Sequence, residues 1–324
     1  MKLASFRYAA DAPETTRVAL VLGDGRTWTL HEVVGLPAGT GLVQLLAADA
    51  AVREAAADAA AATDGVPLAE VVLLPPVYPP AMRDFLTFEA HVDGMERGHG
   101  NPGVPAEWYD APVFLFMAPH AVTGAFDDVA YPPDTERLDF ELELAALVVR
   151  DVRNVTPAQA AGAIGGYCVM NDWSARDVQG KEMRLKLGPS KGKDFATTIG
   201  PWVVTPDELD HLRDADGYLD LTMTVSVNGE ELGRDTSAHM GWTFEALVSH
   251  ASRASWVKAG EVLGSGTCAS GSLAESWGRT GTLNPPPLQV GDVVEMSIEG
   301  IGTIRNRVVA ADEVVPDVPR PRRR

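Results

Sequence analysis

The chain has 324 residues, 45% apolar and 22% charged, with a formal net charge of −18. That length supports one large domain, or one large and one small, of ordinary globular composition. So negative a chain is a poor default binder of nucleic acid or anionic membrane, and an anionic substrate would need local positive charge from a metal or from placed Lys and Arg.

The N-terminal stretch MKLASFRYAAD lacks a signal-peptide core, and no apolar run reaches the roughly 18 residues of a membrane span, so a cytoplasmic protein is expected. Residues 2–8 and 18–22 predict short strands, followed by a turn at GDGRTW. The Ala-rich stretch 41–62 predicts a helix with Leu42, Leu45, Leu46 and Val52 toward a core. Residues 71–74 form a β-branched run, and PPVYPP then breaks regular structure. A boundary near residue 72 gives a small N-terminal domain (1–72), a main domain (73–312) and an Arg-rich tail (313–324) expected to be disordered. Residues 81–92 predict a helix ended by Asp93-Gly94, 113–117 a strand, and 140–149 a buried strand. TPAQAAGAIGG opens on Thr156 as N-cap and Pro157 at the first helical position. YCVMND then predicts a strand and WSARDVQG a short helix. Cys168 in that strand and Cys268 lack CxxC spacing and read as reduced core thiols. Residues 219–227 alternate as a strand and turn at Asn228-Gly229, 243–256 predict an amphipathic helix, and 293–298 with 303–309 a second hairpin. Many short strands with few helices indicate an α+β, mainly β fold.

Three stretches carry possible chemistry. In LDFELELAALVV, Glu141 and Glu143 are two residues apart, so on a strand they share a face, about 6.6 Å apart along the backbone, while Phe140, Leu142 and Leu144 turn to the other. Two carboxylates so close repel unless a cation sits between them, which a divalent metal does well; a solvent-exposed strand face is the plainer alternative. In MNDWSARD, Asp172 lies where strand gives way to helix, as an N-cap or as a metal ligand. In RDFLTFEAHVDG, a helix would put Asp84, Phe88 and His91 on one face, where His91 is a packing residue or addresses the same cavity as Asp84; Glu89 and Glu96 read as solvated. Gly264-Ser-Gly266 gives close backbone approach but is neither a phosphate loop nor a nucleophile elbow.

Together these stretches resemble the fumarylacetoacetate hydrolase family. LDFELELA matches its E-x-E metal motif, VMNDWSARDVQ its most distinctive segment, FATTIGPWVVT the stretch that follows, and LGSGT its Gly-rich strand end. The resemblance spans about residues 72–310 and implies a mixed β-roll, fumarylacetoacetase-type catalytic domain, often dimeric, behind a small SH3-like N-terminal domain. It further implies that Asp84, Glu141, Glu143 and Asp172 bind one Mg²⁺, Mn²⁺ or Ca²⁺ ion. His91 would be the general base and Lys193 the lysine near metal and substrate; Glu275, or else Glu96, would orient His91. Arg176, Gln179, Gly266 and Thr267 would contact a small 2-oxo or diketo acid substrate. The implied activity is metal-dependent hydrolysis of a C–C bond in a 1,3-diketo acid or acylpyruvate by enolate chemistry. Decarboxylation, isomerisation or hydration of a 2-oxo acid on the same site, and a non-catalytic ligand-binding role, are the alternatives. Where the fumarylacetoacetase branch has a substrate-contacting Arg and Tyr, this chain has Gly100 and Met183, with Arg97 and Arg184 nearby.

Overall fold

The computed structural model describes residues 1–23, 27–35, 40–98, 100–312 and 315–322. The N-terminal part comprises β1 (Lys2–Tyr8), β2 (Arg17–Gly23), β3 (Trp28–Glu32), α1 (Leu42–Ala47), α2 (Ala50–Ala61), β4 (Val66–Pro67) and β5 (Val71–Leu73). Then come β6 (Met82–Phe85), α3 (Glu89–Gly98), β7 (Phe114–Met117), β8 (Val122–Thr123), β9 (Val129–Ala130), β10 (Leu138–Asp139) and β11 (Leu142–Val148). The middle of the chain gives α4 (Pro157–Ala160), β12 (Ile164–Asp172), β13 (Ser174–Ala175), α5 (Arg176–Met183), β14 (Thr197–Val204) and α6 (Pro206–Leu209). The last elements are β15 (Thr222–Val227), β16 (Glu230–Thr236), α7 (Phe244–Ala251), β17 (Val262–Gly264), α8 (Leu273–Thr280), β18 (Val293–Ile298) and β19 (Gly302–Val309).

A twelve-stranded mixed sheet runs β4-β3-β2-β1-β14-β12-β11-β17-β6-β7, with β5 on β1 and β8 on β14. The N-terminal strands join it where Lys2 and Leu3 of β1 pair with Val204 and Val203 of β14. A five-stranded sheet, β16-β15-β18-β19-β9, forms a second layer. This is the α+β, mainly β architecture that the strand count predicts. Strand alternation divides the core into two. Leu142, Leu144, Ala146 and Val148 of β11 join Tyr167, Val169, Met223, Met296 and Ile304 in one cluster. Ala145 and Leu147 join Met82, Cys168, Met170 and the α1 residues Leu42, Leu45 and Leu46 in the other. Both cysteines are free and buried.

Three expectations need correction. Residues 82–85 are strand, not helix: β6 is zipped parallel to β17 and antiparallel to β7, and this tertiary pairing overrides a helical period that fits the same apolar residues. The predicted helix 41–62 is two helices, broken at Ala48, whose φ of −66° and ψ of 162° are extended; Val52, on the second, is 54% exposed and outside the core. The predicted helix 243–256 stops at Ala251, although Thr243 caps it as expected of a Thr there. The predicted turn at GDGRTW and the basic tail lie partly outside the described residues; residues 315–322 contain no helix or strand. Asn228 and Gly229 both take positive φ, 53° and 84°, as a tight β15–β16 hairpin requires. Among the described residues no helix is long and apolar enough to cross a membrane.

The fully buried Leu144 and the exposed Val52 give a stability contrast. Chemical denaturation should show Leu144→Ala losing about 2–5 kcal/mol and Val52→Ser changing stability by no more than about 0.5 kcal/mol.

Candidate active site

The alternation that builds the two cores also gathers the acids. Glu143 shares the face of Ala145 and Leu147 on β11, Asp172 that of Cys168 and Met170 on β12, and Asp84 that of Met82 on β6. Glu141 precedes β11 by one residue and alternates in the same sense. All four carboxylates are buried, Glu143 and Asp172 completely. Asp84, Glu141 and Glu143 each bring an oxygen to within 4.8 Å of the others. Asp172 is no helix cap, since it ends β12 and the helix after it begins at Arg176.

Strand β17 lies between β11 and β6, with Gly264 opposite both Ala145 and Asp84. A Cβ on Gly264 would stand 2.6 Å from Glu143 Oε2 and 3.1 Å from Asp84 Oδ1. The missing side chain is therefore what lets two acids meet across an intervening strand. Gly266, at φ +82°, then turns its backbone N–H onto Glu143 Oε2 at 3.0 Å. Ser265 donates to the Gly266 carbonyl and accepts from the Leu144 N–H, so its hydroxyl is structural, and Thr267 is buried beside it.

Two cations face this group. The Lys193 ammonium bonds Glu141 and also Asp172 Oδ2, the latter at 2.5 Å. Arg176 pairs through Nη2 with Glu141 Oε1 at 2.7 Å and donates from Nε to Asp139 Oδ2 at 2.8 Å and from Nη1 to Gln179 Oε1 at 3.1 Å. Among the described residues, three buried acceptors of this cluster, Asp84 Oδ1, Glu143 Oε1 and Asp172 Oδ1, find no donor. Burial above all pushes Asp84 up to about 6 and Asp172 up to about 8. Burial, with Asp84 beside it, raises Glu143 well above the carboxylate range. Glu141 goes the other way: burial raises it, but Arg176 and Lys193 outweigh that and hold it well below the usual range. Orphaned buried oxygens, converging acids and a shortage of positive charge fit a hard divalent cation, which takes carboxylate oxygens as ligands.

His91, on α3, is buried with Nδ1 3.2 Å from Glu275 Oε2 on α8. His91 is near enough to lower the pKa of both Asp84 and Glu141. Glu96 instead accepts from Asn101 Nδ2 at 2.5 Å, so Glu275 is the carboxylate beside the imidazole. Asp84 and His91 thus come from a strand and the helix after it, not from one helix face. Arg97 is exposed and paired with Asp93 at 2.7 Å, and Arg184 is exposed just after α5. Two further residues belong to this assembly. Asp139 accepts from the N–H groups of Leu273 and Ala274 at 2.8 and 3.0 Å, anchoring the start of α8 while holding Arg176. Arg279 bonds Glu275. Its place four residues after Glu275 is a helical spacing open to detection in the sequence; Asp139, by contrast, looks like one more strand residue there.

The family model described as fumarylacetoacetate (FAA) hydrolase C-terminal matches residues 81–309. The chain belongs to the fumarylacetoacetate hydrolase family. It is 34% identical to mouse fumarylacetoacetase over 275 residues, covering 72% of this chain and 64% of that protein. Among solved structures it is similar to the fumarylacetoacetate hydrolase of Exiguobacterium antarcticum, at 25% identity and a TM-score of 0.70, covering 96% of this chain and all of that one. The 5-carboxymethyl-2-hydroxymuconate delta-isomerase of Mycobacterium smegmatis is similar at 25% identity and a TM-score of 0.67, with the same coverage. This fumarylacetoacetate hydrolase family thus includes relatives named as hydrolases and as an isomerase, on a shared fold.

Metal binding to this acid cluster should be visible without any substrate. Adding Mg²⁺ or Mn²⁺ to EDTA-treated protein should raise its Tm, with ~2.7 kcal/mol of stabilisation at a hundredfold excess over Kd. Gly264→Ala, which crowds Glu143 and Asp84, should weaken binding at least about tenfold by calorimetry, consistent with the cost of disturbing a metal site's surroundings.

Proposed function

We propose that the protein is a divalent-metal-dependent hydrolase that cleaves a C–C bond in a 1,3-diketo acid of the acylpyruvate type. The observation that carries this reading is the buried acid cluster, two of whose members, Asp84 and Glu141, feel the charge of a protonated His91 that is itself paired with Glu275. Asp84, Glu141 and Glu143, with Asp172 beside them, would hold Mg²⁺, Mn²⁺ or Ca²⁺. The ion supplies Lewis acidity toward the oxygens of a chelating 2-oxo acid.

The protein groups have separate tasks. Glu275 accepts from Nδ1–H of His91 and leaves Nε2 as the base. His91 then takes a proton from water as the water oxygen bonds to the acyl carbonyl carbon. The C–C bond between that carbon and the pyruvyl methylene breaks, and its electron pair leaves on the pyruvate fragment as an enolate, whose carbon takes back the proton that His91 removed from water. The products are a carboxylic acid and pyruvate. Lys193, buried between Glu141 and Asp172, is the donor suited to oxygen that gains negative charge, because a fixed cation in a dry site needs no reorganisation as that charge forms. Arg176 is committed to Asp139, Glu141 and Gln179, which favours a framework role for both Arg176 and Gln179 over direct substrate contact. Gly100 and Met183, in place of Arg and Tyr, favour a substrate other than fumarylacetoacetate.

A second reading has the same metal site catalyse isomerisation or another enolate reaction of a 2-oxo acid, supported by the similarity to the Mycobacterium smegmatis isomerase. His91 separates the two. With an acylpyruvate panel and Mg²⁺ or Mn²⁺, the wild type should release pyruvate, EDTA should stop it, and Glu143→Ala and His91→Ala should each lower kcat by about 10²-fold or more. Full turnover by His91→Ala would favour the isomerase-type reading, and activity that survives both EDTA and Glu143→Ala would exclude metal dependence.

A further inference from the structure

We infer that Arg279 is a positioning residue: its guanidinium fixes the Glu275 carboxylate in place, and Glu275 in turn holds His91 in the tautomer with its proton on Nδ1. The inference rests on the reading of His91 as the general base and adds to it the group that sets its protonation geometry.

Glu275 has no solvent exposure, and the His91 side chain is 4% exposed. The two Glu275 oxygens are divided among three partners. Oε2 accepts the Ser270 N–H at 2.8 Å and faces His91 Nδ1 at 3.2 Å, while Oε1 takes Nη1 of Arg279. Nη2 of Arg279 reaches Ser270 Oγ at 3.3 Å, so both ends of the guanidinium are tied to the loop and carboxylate that flank the imidazole. Arg279 itself is 45% exposed and loses little hydration in doing this. The other charged groups near this junction are already engaged: Asp93 with Arg97 on α3, and Asp235 with His239 and the Ala269 N–H.

The geometry leaves Glu275 little room to choose another pose. A Cβ on Gly94, one turn after His91 on α3, would stand 2.6 Å from Glu275 Cγ. One on Gly98 would stand 2.6 Å from the Cα of Gly278 on α8. The two helices therefore touch along glycines, and the carboxylate fits the gap that Gly94 leaves.

The consequence follows from donor chemistry. An ionised carboxylate only accepts hydrogen bonds, so an imidazole nitrogen facing it must carry the proton. That leaves Nε2 with its lone pair. Without Arg279, Oε1 of Glu275 loses its side-chain partner and the carboxylate is no longer held against Nδ1 of His91. With that acceptor displaced, the preference for a proton on Nδ1 weakens, and the Nε2–H tautomer that gains population blocks the base. Arg279 thus acts on the reaction through two other side chains, without touching substrate.

The test uses full-length protein labelled with ¹⁵N-histidine, with and without Mg²⁺, and assigns His91 by the signal lost in His91→Gln. Wild type and Arg279→Lys should show the Nδ1–H tautomer, and Arg279→Gln should shift population to Nε2–H. In acylpyruvate hydrolysis, Arg279→Gln should lower kcat at least about tenfold with KM changed less than about twofold, and Arg279→Lys should restore much of the loss. An unchanged tautomer in Arg279→Gln overturns the inference, as does a raised KM with kcat intact, which would make Arg279 a substrate contact. A tautomer shift in a protein that hydrolyses no acylpyruvate supports the role of Arg279 and overturns only the hydrolase reading.

Discussion

Mutual repulsion among carboxylates buried on one sheet face is the constraint to which the rest of this molecule answers. Glu141, Glu143, Asp84 and Asp172 stand at one end of the large sheet, out of contact with bulk water. Burial raises all four, and Glu141 alone ends below the usual carboxylate range, chiefly because Arg176 and Lys193 attend it. Unpaired charge at such depth is costly, and among the described residues three acid oxygens of the cluster remain without donors. Such an arrangement is expected where a cation completes the site, because the ion's binding energy then also stabilises the fold. The neighbouring features fall into line with it. Gly264 opens the way across β17, and Gly266 offers a backbone donor to Glu143.

A second layer joins this acid cluster to the histidine. Asp139 holds the first turn of α8 with one set of bonds and Arg176 with another, and Arg176 reaches Glu141. The same helix carries Glu275 to His91 and Arg279 to Glu275. The acid cluster and the histidine are therefore tied by one chain of bonds, whose members come from α3, β10, β12, α5 and α8 together with Glu141 and Lys193. A shift of α8 would be felt at both ends of it.

Much of this was legible in the sequence because strand alternation is a local property. The period of two in LDFELELA puts Glu141 and Glu143 together and sends Phe140, Leu142 and Leu144 into the core, and the structure has both. The Asn228-Gly229 hairpin and the Thr156 cap were readable for the same reason, each depending on a few adjacent residues. What failed was decided at long range. Residues 82–85 are strand because β17 and β7 lie alongside, and neither is near in sequence. Val52 is the local exception, facing solvent because Ala48, four residues earlier, breaks the helix and changes its phase. Asp139 is mute in the sequence because its partners are Arg176 and the start of α8, more than thirty and more than a hundred positions away. Glu275 could be placed only by family resemblance, since nothing local connects it to His91.

The central claim is that Asp84, Glu141 and Glu143 converge on one divalent ion that also receives a chelating 2-oxo acid. Anomalous diffraction from crystals soaked with Mn²⁺ and oxalate tests it most directly. The account predicts a single strong peak within roughly 2.0–2.6 Å of an oxygen from each of these three residues, with oxalate on the same ion and His91 facing it. Absence of a peak between the three carboxylates at saturating Mn²⁺, or a peak bound by other residues with oxalate attached there, would contradict it.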